Sequence, residues 1–325
     1  MQPAVSTTVS SNQFVSRLFD DEGFVKEAAD ALSLFIQDKI REKGFARKIV
    51  KPTPVSAKDL VPTEHTDQPA IMVERDVDAR AMTVPLRGRG EFRYHETDRY
   101  MVYFEKVVSE KIRKSKMEMM TVKTDYKKLF QDRISEAMYE VEDLTVMGGV
   151  KSALANEEAA YKEANGGDLA SQGNKTFSAQ TVYFGEGETL DKSNLVFLFQ
   201  LPTRNRISNK TVLLTETLLQ ELMHMTMQEV GDSVVSKFWQ DGVDNISEFW
   251  NKQVVTTIKS HIIKNNEIYT FASPEMYGHF FILQDHTSYF EIDRDMMTMD
   301  SEAYIAHAIG NTKGVYKGVF TDIAE

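Results

Sequence analysis

Residues 251–285 read NKQVVTTIKSHIIKNNEIYTFASPEMYGHFFILQD. Val254–Ile258, Ile268–Ala272 and Phe280–Leu283 are short apolar runs rich in β-branched and aromatic residues. Asn, Ser, Pro and Gly bound them, which is the pattern of short strands closed by turns. The tail alternates in the same way, near Tyr289–Ile292, Tyr304–Ile309 and Val315–Phe320, and ends GNTKGVYKGVF. Nowhere does this stretch gather a residue set able to run a reaction.

Upstream, Thr176 to Asp285 reads as a mixed α/β region. It is expected to hold a helix near Thr215–Met227, opened by a capping box of Thr217 and Gln220, and a second over Asp232–Trp239. Before it lies NGGDLASQGN, Asn165–Asn174, the loosest interior stretch and the expected domain boundary. A helix is predicted from Asp125 to Met147, with Phe130, Ile134, Met138, Val141 and Leu144 as its apolar stripe and Gly148–Gly149 ending or bending it. MEMMTVKTD, just ahead of it, reads as a strand.

The segment Ile71–Ala81 alternates. Ile71, Val73, Val77, Ala79 and Ala81 share one parity, broken only by Arg75, while Glu74, Asp76, Asp78 and Arg80 share the other. The turn signal PLRGRGEF (85–92) follows, and FRYHETDRYMVYFEKVV returns. Each leg exceeds ten residues and so spans about 35–45 Å, roughly twice an ordinary strand. A hairpin of that length needs a second surface to cover it, and a neighbouring copy is the simplest one. Ahead of it, VKPTPVSAKDLVPTEHTDQP carries prolines at 52, 54 and 62 and reads as an extended arm. The spacing of Phe24, Ala28, Leu32, Phe35, Ile36 and Ile40 predicts a helix over Asp21–Lys43, capped by Asp20 or Asp21 and stopped by Gly44.

The totals exclude several classes. The 325 residues suffice for a sizeable core and about two domains, and a composition of 42% hydrophobic and 27% charged is ordinary for a globular chain. A formal charge of −11 argues against gripping phosphate backbones. It suits a protein that stays soluble or lies near packed DNA without adhering. With no cysteine, disulfides, thiolate catalysis and thiolate metal sites are excluded. No apolar run approaches the roughly 20 residues of a membrane span. The polar start MQPAVSTTVSSNQ has no basic, apolar-centred leader, so a soluble, non-exported protein is expected.

The motifs add no chemistry. Seven histidines are scattered without an H-E-x-x-H spacing. His279, Asp285 and His286 tempt a metal reading, but strand positions seven apart lie far from each other. Met223, His224, Met225 and Met227 read as core packing, since Met225 points away from its neighbours on a helix. GNTKG (310–314) and GEG (185–187) lack a phosphate-loop setting. The basic cluster Lys106–Lys128 is interleaved with Glu105, Glu110, Glu118 and Asp125 and reads as a solvated or intersubunit face.

Taken in order, these parts resemble the major capsid proteins of tailed phages, the Hong Kong 97-type fold family. Arg99–Asp143 resembles that family's passage from E-loop return strand to spine helix. VVTTIKSHIIKNNEIYTFASPEMYGHFFILQD resembles its late axial-domain strands, and AHAIGNTKGVYKGVF its closing strands. The resemblance implies an α+β fold with an N-terminal arm and helix (1–59), an extended E-loop hairpin (60–105), a peripheral domain with spine helix (106–165), an axial domain (166–285) and a return to the peripheral domain (286–325). It implies a structural, non-enzymatic shell protein, assembling in the bacterial host cytoplasm into pentamers and hexamers of an icosahedral virion capsid around double-stranded DNA. Its expected partners are itself and scaffold, cement and portal proteins, with packaged DNA nearby, no membrane and no cofactor. Intersubunit contact is expected between the E-loop tip, Arg87, Gly88, Arg89, Gly90, Glu91 and Phe92, and an acidic face of a neighbour's spine helix, Glu136, Glu140 and Asp143. No lysine lies between Asp59 and Glu105, so a lysine-based covalent lock from the E-loop, known in some members, is not expected. The alternatives are the shell of a cellular nanocompartment of the same fold, and a metal-dependent enzyme using middle-domain carboxylates and histidines.

Overall fold

The structure, a computed structural model, describes residues 11–62, 67–75, 98–121, 126–185, 190–222 and 248–321. Three helices open it: α1 (Ser11–Asp20), α2 (Glu22–Lys43) and α3 (Ala46–Ile49). Asp21 caps α2, its Oδ1 accepting from the amides of Gly23 and Phe24. Leu32 and Ile36 are buried as the spacing predicts.

A five-stranded sheet is built on one long hairpin. Strands β14 (Gly278–Asp293) and β15 (Met296–Ile309) pair antiparallel almost throughout. The runs read from sequence as separate strands near 280–283 and 289–292 are therefore one strand, which also runs unbroken through residue 285. Its register shifts between Ile282 and Thr287. Such a bulge re-aims side chains, here Asp285 and His286. The proline-bearing arm adds β1 (Pro52–Pro54) parallel to β14, on the edge where missing amides are tolerated. Strands β5 (Glu105–Val108) and β6 (Ile112–Ser115) pair with β15.

The expected strand MEMMTVKTD is instead a short helix, α4 (Lys116–Thr121), as far as it is described. Ser115 Oγ accepts from the Glu118 amide, and Glu118 Oε2 accepts from the Ser115 amide. This is a capping box, and it outweighs the β-like composition.

The spine is α5 (Tyr126–Ala164), 39 residues or about 58 Å, far longer than the expected helix. It passes through Gly148 and Gly149 without a positive φ. Buried Val146, Met147, Val150 and Leu154 on either side offset a glycine cost of about 1 kcal/mol each. The helix stops at the next glycine pair. Gly166 is left-handed (φ 77°) and the Gly167 amide donates to Lys162 O, a Schellman ending. The buried stripe differs too: Ile134, Met138, Val146, Val150 and Leu154 are buried, while Val141 and Leu144 are exposed.

An eight-stranded mixed sheet forms the second layer. Its order is β11 (Glu248–Phe249), β12 (Lys252–Thr257), β10 (Asn209–Thr215), β13 (Glu267–Ala272), β16 (Val315–Phe320), β9 (Thr181–Phe184), β8 (Lys175–Phe177) and β7 (Ala170–Gln172). NGGDLASQGN thus contributes a hairpin strand to this sheet. Helix α6 (Lys192–Arg204), absent from the sequence reading, is capped by Asp191 and buries Leu195, Leu198 and Leu201 against the sheet. Helix α7 (Glu216–Leu222) is capped by Thr215 and not by the expected Thr217: β10 runs to Thr215, whose Oγ1 accepts from the Leu218 amide, and Thr217 lies inside the helix. The short α8 (Pro274–Tyr277) leads into β14. The expected helix Asp232–Trp239 and the Met223–Met227 cluster lie outside the described residues.

The two glycines of the spine separate cleanly by environment. A Cβ on Gly148 meets nothing within 4 Å, whereas one on Gly149 would sit 3.0 Å from His307 Nδ1. Gly148→Ala is expected to raise stability by about 0.5–1 kcal/mol, and Gly149→Ala to gain nothing or lose. Urea denaturation of the two variants checks the difference.

Candidate functional site

The base of the expected long hairpin is described, and its tip is not. Strand β3 (Ala70–Arg75) pairs antiparallel with β4 (Asp98–Tyr103), in register from Ala70↔Tyr103 to Arg75↔Asp98, and β2 (Leu60–Val61) completes a three-stranded sheet. Period-two alternation gives this sheet two faces. Ile71, Val73 and Val102 pack on this chain's own body, against Val55, Phe104, Phe281 and Ala306. Tyr100, Met101 and Tyr103 remain between 41% and 48% exposed. Met101 and Tyr103 share the face opposite Val102, with Tyr103 Oη 3.9 Å from Met101 Sδ, whereas Tyr100 opposes Val73 on the other face. An exposed apolar pair of this kind marks an interaction surface better than a lone residue does. The tip residues Arg87, Gly88, Arg89, Gly90, Glu91 and Phe92 lie outside the described residues.

A second exposed surface runs along α5. Ala137, Val141, Leu144 and Gly148 are exposed at intervals of four, three and four, which places them on one face. Beside them Glu140 pairs with His261 at 2.8 Å, both partly exposed, and Glu136 is exposed. Asp143 corrects the expected acidic face. It is 0% exposed and turned into the protein, because its position on the helix faces α3 and the β12–β13 connection.

Sequence reading missed the buried ionic junction at mid-spine. Glu142, 1% exposed, takes two hydrogen bonds from the Arg47 guanidinium at 2.6 and 2.9 Å and faces His286 Nε2 at 2.8 Å. Arg47 reaches Asp285 as well, at 2.8 Å. A planar guanidinium holds two carboxylates in this way where an ammonium does not. Next along the helix, Asp143 accepts from the Ala46 amide at 2.9 Å and pairs with the Lys259 ammonium. That ammonium also lies over the rings of Tyr139 (4.1 Å) and Phe45 (5.6 Å). Two adjacent carboxylates therefore join α3, the spine, the β14 bulge and the β12–β13 connection.

Their electrostatics differ. Burial pushes the Glu142 carboxyl up, but the hydrogen bonds from His286 and Arg47 and the charge of Arg47 outweigh it and hold the group below its ordinary value of 4.5. Burial wins at Asp143, pushed up to about 6 despite Lys259 and the Ala46 amide. Among the described residues no group of three or more His, Cys, Asp or Glu is arranged to hold a metal ion. His279, which tempted a metal reading, is exposed and its ring stacks on Phe281, on the same strand as buried His286. The basic cluster pairs locally, Lys106 with Glu302, Lys111 with Asp300, Arg113 with Asp293 and Lys116 with Asp20. No described helix is long and apolar enough to cross a membrane.

Arg47→Met leaves Glu142 buried without its main counter-charge and is expected to cost about 3–5 kcal/mol. Because Glu142 sits below its ordinary value when folded, the stability it supplies is present above about pH 4.5 and lost as pH falls. The gap between wild type and variant should therefore narrow as pH falls below about 4.5, read by urea denaturation between pH 6 and pH 3.

No protein-family model and no curated protein matches the sequence. Solved structures do match. One from Microbacterium phage Oxtober96 aligns over 86% of this chain and 91% of that one, with a TM-score of 0.57 and 12% identity. The virus-like particle from Pyrococcus furiosus aligns over 90% and 99%, with a TM-score of 0.55 and 11% identity. The mature capsid of bacteriophage PhiM1 aligns over 87% and 88%, with a TM-score of 0.53 and 8% identity. With its long spine helix, long β14–β15 hairpin and eight-stranded second sheet, the chain has the Hong Kong 97-type α+β fold of tailed-phage capsid proteins.

Proposed function

We propose that this chain is the major head protein of a tailed bacteriophage. Copies of it assemble into pentamers and hexamers of an icosahedral shell around double-stranded DNA, in the host cytoplasm. The observation that carries this reading is the extent of the likeness: capsid and virus-like-particle structures align with 86–90% of the chain. The exposed pair at the hairpin base, Met101 and Tyr103, supports it as surface that a neighbour would cover.

In this reading the five-stranded sheet and spine form the peripheral domain, and the eight-stranded sheet forms the axial domain at the ring centre. Head-to-tail contacts close such rings by rotation. The tip arginines Arg87 and Arg89 of one copy meet Glu136 and Glu140 of the next, an Arg–carboxylate pairing suited to a planar fork. The chain does no chemistry. Scaffold, cement and portal proteins are its further partners, and cohesion is non-covalent. A second reading is a shell without a phage genome, favoured by the likeness to the Pyrococcus furiosus particle, which covers 99% of that chain.

Electron microscopy of the purified, expressed chain is expected to show closed particles or rings. A compact monomer at all concentrations would refute both shell readings. Nuclease-protected DNA against protein cargo separates them in native particles. Met101→Glu with Tyr103→Glu should reduce particle yield at least about tenfold while the monomer still folds. Arg87→Glu with Arg89→Glu should lower yield, and Glu136→Arg with Glu140→Arg should restore it in part. Failure of that rescue removes the tip-to-spine pairing but not the shell.

A further inference from the structure

The mid-spine junction is divided. Its Arg47 half holds Glu142 and Asp285, and both carboxyls lie below their ordinary values, burial being outweighed by hydrogen bonds and charge from Arg47, helped by His286. Its Lys259 half holds Asp143, where burial wins. α3 and α5 take part in both halves, whereas the β14 bulge depends on the first alone and the β12–β13 connection on the second alone.

We infer that the Asp143–Lys259 contact is an acid-released latch, which frees the β12–β13 connection from the spine while the Arg47 clamp stays closed. The groups facing Asp143 fix this behaviour. Glu142 and Tyr139 act on it from its own helix, the Ala46 amide from α3 and Lys259 from the β12–β13 connection. Around these, Arg47 and His286 bind Glu142, Arg47 also binds Asp285, His261 binds Glu140, and Glu136 and Glu140 act on Tyr139. Lys259 is the cation in direct contact with Asp143. Once Asp143 takes up a proton, Lys259 loses its counter-charge and is left with a neutral acceptor and the ring faces of Tyr139 and Phe45, which are weak beside water for an ammonium. Ile258, one residue away, is already 81% exposed. Farther on, Ile262 and Ile263 are buried in the main core and stay anchored.

The sign of the linkage makes the release local. The folded carboxyl of Asp143 lies above its ordinary 3.8, at about 6. Its contribution to global stability is therefore fullest below 3.8 and declines as pH rises through about 6. Acid opens the latch without unfolding the chain through this group. The inference stands apart from the shell reading, since the latch lies within one copy.

Hydrogen exchange of the full chain, corrected for intrinsic rates and followed in peptides covering 256–264, tests it. Wild type should exchange at least about tenfold faster at pH 5.0 than at pH 7.5 in that segment, with a midpoint near 6, while peptides over 46–50 stay protected. Asp143→Asn should exchange fast at both pH values. His261→Asn should keep the wild-type dependence, since its ring pairs with Glu140 and not with Asp143. Loss of the dependence in His261→Asn, its survival in Asp143→Asn, or equal protection at both pH values in wild type would overturn the latch. If Asp143→Asn fails to fold, Lys259→Met, fast at both pH values, serves in its place.

Discussion

An arginine side chain held between two carboxylates fixes how the pieces of this fold meet. Arg47 lies on a helix of only four residues, too short to hold its place by its own backbone bonds. Its guanidinium reaches Glu142, 95 residues away, and Asp285, 238 residues away. Desolvating these charges is expensive, and only complete pairing offsets the expense. The register shift in β14 brings Asp285 and His286 to the junction, and α5 carries Glu142 there only if it stays helical past its glycines. Sheet, arm and spine therefore share one geometric condition. A hydrophobic joint of equal volume would tolerate sliding, whereas a bidentate pair has a single register.

That junction was illegible in the sequence. Glu142 and Asp143 lie in YEVEDLTV, and a reading by helical period assigns polar residues to the wet face. The rule fails where partners arrive from far along the chain. The same cause moved the apolar stripe. Val141 and Leu144 look like core residues by spacing yet are exposed, because the inward positions between Met138 and Val146 are taken by the two acids. Asp143, expected to face a neighbour, became an internal group for this reason.

Strands were read better than helix ends. β12, β13 and β16 fall close to their expected places, because alternation is a local property that burial of a sheet face enforces. The two Gly-Gly pairs show the limit. Both look like stops, but VKSALANEEAAYKEA after the first is strongly helix-forming and buries Val150 and Leu154, while the second is followed by DLAS, which continues nothing. Composition alone does not separate them; packing does. In the other direction, the capping box of Ser115 and Glu118 was present in the sequence, and the methionines beside it drew the reading toward a strand.

For the shell reading, charge and apolar surface pull in opposite directions. Each copy carries −11 formal charges, so copies repel at long range. At physiological ionic strength that repulsion is screened within about 8 Å, and contact is decided by what meets at short range. The hairpin base already uses one face on Val55, Phe104 and Phe281 of its own body. Met101 and Tyr103, left exposed on the other face, are then the short-range attraction. Such an arrangement keeps free copies soluble and apart, yet lets many weak, identical contacts close a ring, because closure adds a last contact without further loss of freedom. No single contact has to be strong, which suits an object whose cohesion is repeated across every copy.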